Sequence, residues 1–164
     1  TLACEIQMIA VLRRFLQRAL YRVWQFKQVL FPELQRSDWE NAISGLSEQV
    51  RSELGKLRKS EKAHIMRVWS DISHDGSLSE TDRVELLELA LVHDIGKAVT
   101  RPTLFFKVAK VLLPLANTEH CVAGAKLLKR LKQNRQLIRR VLRHHDEGSS
   151  DRILRLFQAY DDRN

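Results

Sequence analysis

Most of the chemistry open to this chain rests on histidines and carboxylates set at the ends of helical segments. His64 lies in the middle of one segment. His93 and Asp94 follow a run of apolar residues, Leu86–Val92, that holds a single charge, Glu88. His120 opens a later segment. His144 and His145 close another and are followed by Asp146 and Glu147, while Asp161 and Asp162 stand near the end of the chain. A histidine and an aspartate at the end of a buried apolar helix need partners, because unpaired polar groups there cost free energy. The expected partner is a metal ion. Imidazole and carboxylate donors together suit a divalent transition metal, Mn, Fe, Co, Ni or Zn, rather than an ion that prefers oxygen alone.

Each of these residues has a plainer reading when taken singly. A lone helical histidine is usually a packing residue with one hydrogen bond, and a terminal aspartate is usually solvated. His144 and His145 sit beside arginines and would pass for surface. The ordered set is what favours a metal site: a helical His, then His-Asp-Ile-Gly-Lys after an apolar helix, then a His, a His-His pair and a late Asp.

The elements that must position this set read as helix throughout. No Val/Ile/Thr alternation marks a strand. A first helix spans roughly Ala3–Leu30 and ends before Phe31–Pro32, because the residue before proline disfavours helix. Ser37 or Asp38 caps a short helix through Ile43, and Ser47–Leu57 forms a third. Ser60 begins the helix that carries His64, with Ile65, Val68, Trp69 and Ile72 on one apolar face and an end near Ile72. His74–Ser79 is a loop, which makes His74 the surface histidine. Ser79 or Thr81 caps the central helix. Further helices run from Arg101–Pro102 to Leu113, from Thr118 through EHCVAGAKLLKRL, from Asn134 to His145, and from Asp151 to the end. Leu113–Pro114–Leu115–Ala116 passes into Asn117–Thr118 with almost no connector.

With 164 residues, 44% hydrophobic and 29% charged, the chain suits one soluble globular domain. Cys4 and Cys121 are far apart and show no paired spacing, which argues against a disulfide framework and fits a cytoplasmic setting. No apolar run approaches a transmembrane span. The formal net charge of +8 is uneven. One basic group is Arg13, Arg14, Arg18, Arg22 and Lys27; the other is Lys126, Lys129, Arg130, Lys132, Arg135, Arg139, Arg140 and Arg143, in a stretch from His120 to His145 without a carboxylate. Solvated helix faces account for most of these. The remaining reading is attraction of phosphates, with nucleic acid the weaker partner because no aromatics interleave with the 126–143 group.

From His64 to Asp161 the chain resembles the HD-domain superfamily of metal-dependent phosphohydrolases, including small stand-alone bacterial members. The superfamily signature is an early His, an adjacent His-Asp and a late Asp, here matched by His64, His93–Asp94 and Asp161, with Val92–Lys97 (VHDIGK) the closest stretch. Members with two metals, among them the HD-GYP phosphodiesterases, add a His in an H…GA..L setting and a His-His pair. His120-Cys-Val-Ala-Gly124-Ala-Lys-Leu127 and His144–His145 resemble these. The GYP tripeptide is absent; Gly148–Ser149–Ser150 leads directly into the last helix, so cyclic dinucleotide specificity is not implied. The resemblance implies an all-α bundle of about seven to nine helices, organised as a single HD-type domain over 1–164, with 1–57 a helical extension packed on a 58–164 core. It implies one metal held by His64, His93, Asp94 and Asp161, with Asp162 the substitute for the last. It implies a second held by His120, His144 and His145, with Asp94 bridging.

On this resemblance the activity is hydrolysis of a phosphoester in a small substrate such as a nucleotide, with Asp94 and Lys97 as catalytic residues. Lys97, four residues beyond His93, reaches a substrate phosphate or serves as a helix-end cation. Arg101 and Arg143 are weaker phosphate-binding candidates, and Asp146 and Glu147 either orient a ligand histidine or are solvated. Two other activities draw on the same residues. One is a di-iron oxygenase of HD type, and the other is a non-catalytic nucleotide-binding or regulatory module. Neither the substrate nor the oligomeric state is written in the motif.

Overall fold

The computed structural model describes residues 32–101 and 118–164. The helices expected at Ala3–Leu30 and from Arg101–Pro102 to Leu113, the join before Thr118, Cys4 and the basic group at Arg13–Lys27 lie outside the described residues. Among those described there is no strand, and no helix is long and apolar enough to cross a membrane. The fold is all-α, as the periodicity predicts. Its helices are α1 (Arg36–Ile43), α2 (Glu48–Gly55), α3 (Lys59–His74), α4 (Glu80–Val92), the single turn α5 (Lys97–Thr100), α6 (Glu119–Arg130), α7 (Arg135–Leu142) and α8 (Arg152–Asp161).

Local chemistry explains most of the boundaries. Ser47 accepts from the Val50 amide, Ser79 from Asp82, Asn134 from Gln136, and Asp151 from both Ile153 and Leu154. Each satisfies an amide that the first helical turn leaves without a backbone partner. At α3 the reciprocal bond comes from Glu61, whose carboxylate accepts the Arg58 amide at 2.8 Å. The expected cap at Ser37 or Asp38 is not used. Helix α1 begins at Arg36, so both residues fall inside its first turn, and Gln35 precedes it without a side-chain bond. Helix α3 runs past Ile72 to His74, because Arg83 reaches back from α4 to the carbonyls of Ile72, Ser73 and Asp75. His74 is thus the last residue of a helix, although its ring is exposed as expected.

Helix α4 is the axis of the fold. Helices α3, α7 and α8 all pack against it, and it buries Leu86, Leu89, Ala90, Leu91 and Val92. A helix apolar on nearly every side has to be surrounded in this way. Helix α6 lies against α5 and α7. One hydrophobic cluster runs from Trp39 and Ile43 in α1 through Ile65, Val68 and Ile72 to Leu154, Phe157 and Tyr160 in α8.

Polar bonds lock α8 in place. Arg152 forms a two-pronged pair with Asp82 at 2.6 and 2.8 Å, and the Tyr160 hydroxyl donates to Asp75. Arg140, expected on the basic face, is instead buried. It donates to Glu85 at 2.5 Å and to Asp151 at 2.8 Å, so it ties α7 to α4 and to the start of α8.

Candidate metal centre

Five segments bring the candidate donors together. Helix α3 supplies His64, the turn after α4 supplies His93 and Asp94, the first turn of α6 supplies His120, and the end of α8 supplies Asp161. The fifth segment is the turn after α7. This helix ends at Leu142 rather than His145, so His144 and His145 lie beyond its last turn. Gln158 holds that turn onto α8 by donating to the carbonyls of His144 and Asp146.

The turn after α4 does not leave the core. Ile95 and Gly96 are buried, and successive backbone bonds, Lys97 to Asp94 and Ala98 to Ile95, carry the chain straight into α5. Gly96 makes this possible. A Cβ placed on it would sit 1.9 Å from the His120 carbonyl oxygen and 2.6 Å from the Gly124 amide nitrogen. Its φ of −64° is open to any residue, so the requirement is for close approach of two backbones. Gly124, on α6, faces Gly96 from the other side with a looser fit: a Cβ on it would lie 3.2 Å from both the Gly96 amide nitrogen and a Val141 methyl.

The donors form two groups joined by one carboxylate. His64 Nε2 lies 3.0 Å from Asp161 Oδ1, and His93 Nε2 lies 3.5 Å from the same oxygen. His120 Nε2 lies 3.3 Å from both His144 Nε2 and His145 Nε2. Asp94 stands between the groups, with Oδ2 3.5 Å from His93 Nε2 and Oδ1 3.4 Å from His120 Nε2. Lys97 donates to Asp94 Oδ2.

The imidazoles are fixed by backbone carbonyls. His93 Nδ1 donates to Ala90 at 2.9 Å, and His144 Nδ1 donates to Val141 at 2.7 Å. With the ring proton on Nδ1, the Nε2 lone pair of each neutral ring faces the cluster. Asp146 does not orient a histidine in this way: it pairs with Arg143 at the surface. Asp162 is exposed, outside the group that holds Asp161, and Arg101 is exposed beyond α5.

Electrostatics prepare the donors for a cation. Burial pushes His93, His120 and His144 down from the ordinary histidine value, His120 to about 3. Burial and the neighbouring His144 push His145 down to about 4. Burial raises the carboxylates, but the Lys97 ammonium and the hydrogen-bonding imidazoles around them prevail. Lys97 and His93 hold Asp94 well below the usual range, and His93 and His64 do the same for Asp161. Lys97 remains charged in turn: burial lowers it, but Asp94 raises it more, with Asp161 and Glu61 adding to that field. Neutral imidazoles facing ionised carboxylates are the protonation states that bind metal.

These residues fit a metal. His93 Nε2 is fully buried and has no hydrogen-bond partner among the described residues, although two carboxylate oxygens lie 3.5 Å away. Bonds of about 2.0–2.2 Å to a common ion place neighbouring donors roughly 2.8–3.6 Å apart. The 3.0–3.5 Å spacings here lie in that range.

Some residues of the site were not legible as such in the sequence. Gly96 and Gly124 were seen only as parts of motifs, and Cys121 only in the cysteine count. Cys121 Sγ lies 3.7 Å from His120 Nε2 and 4.0 Å from His144 Nε2. Adjacency to His120 was the available signal, but residues next to each other on a helix do not ordinarily face the same way.

Neither the curated proteins nor the solved structures give a match to the chain. The family model for the HD domain matches residues 46–162, a span that contains every donor described above. The helical bundle, its His-Asp turn and this match agree: the chain belongs to the HD domain family.

Proposed function

We propose that the protein is a metal-dependent phosphohydrolase that cleaves a phosphoester in a small substrate, a nucleotide or a related phosphate. In this reading His64, His93, Asp94 and Asp161 hold one divalent ion, His120, His144 and His145 hold a second, and Asp94 serves both. The observation that carries the reading is the position of Asp94, whose two oxygens face the two donor groups at 3.5 and 3.4 Å. Divalent transition ions bound there would supply Lewis acidity toward phosphoryl oxygens and lower the pKa of an attacking water.

The chain's own residues set up the rest. Asp94 stays ionised beside Lys97, so it accepts hydrogen bonds and orients a water. Lys97 keeps its ammonium charge at the same pocket, and a quarter of its side chain is exposed, which suits an approaching phosphoryl group. The carbonyls of Ala90 and Val141 prevent His93 and His144 from turning away. The substrate is left as a class because specificity depends on pocket shape outside the donor set.

The test is elemental analysis of the purified protein, followed by a panel of phosphomonoesters and phosphodiesters with added Mn²⁺, Co²⁺, Ni²⁺, Fe²⁺ or Zn²⁺. Phosphate or alcohol release that His93→Ala and Asp94→Ala both abolish, together with loss of bound metal, is the expected result. Full metal content in the double variant would overturn the assignment of the donors. Iron-dependent O₂ consumption without phosphoester cleavage would overturn the reaction class.

A further inference from the structure

The second donor group differs in kind from the first, because it contains a thiol. His120, Cys121, His144 and His145 each offer one donor atom, and all four atoms lie within 4.8 Å of one another. His120 Nε2 is 3.3 Å from each of the other two Nε2 atoms, and Cys121 Sγ is 3.7 Å from His120 and 4.0 Å from His144. Tetrahedral bonds of about 2.05 Å to nitrogen and 2.3 Å to sulfur put two nitrogens roughly 3.3 Å apart and a nitrogen and a sulfur roughly 3.6 Å apart. The nitrogen spacings agree with this, and the sulfur spacings are a few tenths of an ångström longer. One proton on His120 Nε2 can bond to only one of its two imidazole neighbours, so hydrogen bonding alone leaves this group unsatisfied. The adjoining His93 Nε2, fully buried without a hydrogen-bond partner among the described residues, is a separate sign that the pocket is built around a cation.

We infer that Cys121 is a thiolate ligand in the second metal position, which then carries three histidines, one cysteine and the shared Asp94 oxygen, a nitrogen- and sulfur-rich set of the zinc class. The inference rests on the metal-centre reading above. Its consequence is a difference in softness between the two positions. His64, His93, Asp94 and Asp161 offer two nitrogens and two carboxylates, which Mn²⁺ and Fe²⁺ accept; three imidazoles and a thiolate favour Zn²⁺ or Co²⁺. The side chain of Cys121 is 1% exposed in the first turn of α6, so its backbone already aims the sulfur into the cluster.

The experiment is titration of the metal-free full chain, carrying Cys4→Ser so that Cys121 is the only thiol, with Co²⁺ alone. The expected result is near-ultraviolet sulfur-to-cobalt charge-transfer absorption that saturates with cobalt binding. Cys121→Ser should abolish this absorption while the visible bands from the histidine donors remain. It should weaken Zn²⁺ binding at this position by more than about 100-fold and leave Mn²⁺ binding nearly unchanged. X-ray absorption of the zinc-loaded chain gives a second reading that needs no change at Cys121: one sulfur neighbour at about 2.3 Å. Bound cobalt without the charge-transfer band, or bound zinc without a sulfur neighbour, overturns the thiolate assignment and leaves the metal centre standing. Failure to bind either ion overturns both.

Discussion

Replacing Gly96 by alanine should break the centre without touching a donor. The added Cβ would lie 1.9 Å from the His120 carbonyl oxygen, about 1.5 Å short of the 3.4 Å at which ordinary contact begins. Its neighbours are backbone atoms of α6, so no rotamer change relieves the overlap, and the two backbones have to part. Overpacking that side chains can absorb costs about 1–3 kcal/mol, and this case should reach the upper end or exceed it. The site should suffer as well. His120 Nε2 and Asp94 Oδ1 are 3.4 Å apart. Displacement along the contact by that amount takes them to nearly 5 Å, whereas two donors on one ion with bonds up to about 2.2 Å cannot be more than roughly 4.4 Å apart.

The assays are urea unfolding of the metal-free protein and metal content after dialysis against limiting Zn²⁺. Gly96→Ala should lower the unfolding midpoint sharply and lose the metal that depends on His120. Gly55→Ala is the control. A Cβ there meets nothing within 4 Å, and the change should be neutral or stabilising by up to about 1 kcal/mol. An unchanged midpoint and full zinc occupancy in Gly96→Ala would refute the argument from close approach.

Three further outcomes follow from the same geometry. Lys97→Ala should raise KM for a phosphoester substrate with metal content retained; loss of metal instead would mean that Lys97 serves to hold Asp94 in place. Arg140→Met should cost about 1–3 kcal/mol in urea unfolding, because Glu85 and Asp151 lose their shared partner, and Glu85→Gln should recover little of it. Without metal, stability should fall as pH drops below about 6.5, the ordinary histidine value. Between that pH and about 3 the unfolded chain takes up a proton that folded His120 refuses, so the unfolded state binds more protons and stability rises with pH. The slope from this group is at most about 1.4 kcal/mol per pH unit, and His120→Gln should flatten the urea midpoint across that window.

The sequence by itself located most of the described helices, though not all of their ends, and set the order of the donors. Periodicity and capping residues act over a few positions, so Ser47, Ser79, Asn134 and Asp151 could be read as helix starts, and all four are used. The resemblance singled out His64, His93, Asp94, His120, His144, His145 and Asp161, and the fold brings all of them to one place. Chain order could not show which pairs would meet. His64 and Asp161 are 97 positions apart, and their 3.0 Å contact exists only because α8 packs on α3 and α4.

Tertiary structure alone decided the roles of several other residues. It removed Arg140 from the basic face, because a buried guanidinium needs carboxylates and Glu85 and Asp151 are within its reach. The carbonyls that orient His93 and His144 are local, three residues back at Ala90 and Val141, but packing decided what their Nε2 atoms face. It made Gly96 a point of backbone contact although its dihedral angles are ordinary, and it turned Cys121 toward three histidines. Local patterning depends on neighbours along the chain. These roles depend on which groups approach within a few ångströms once the helices have packed.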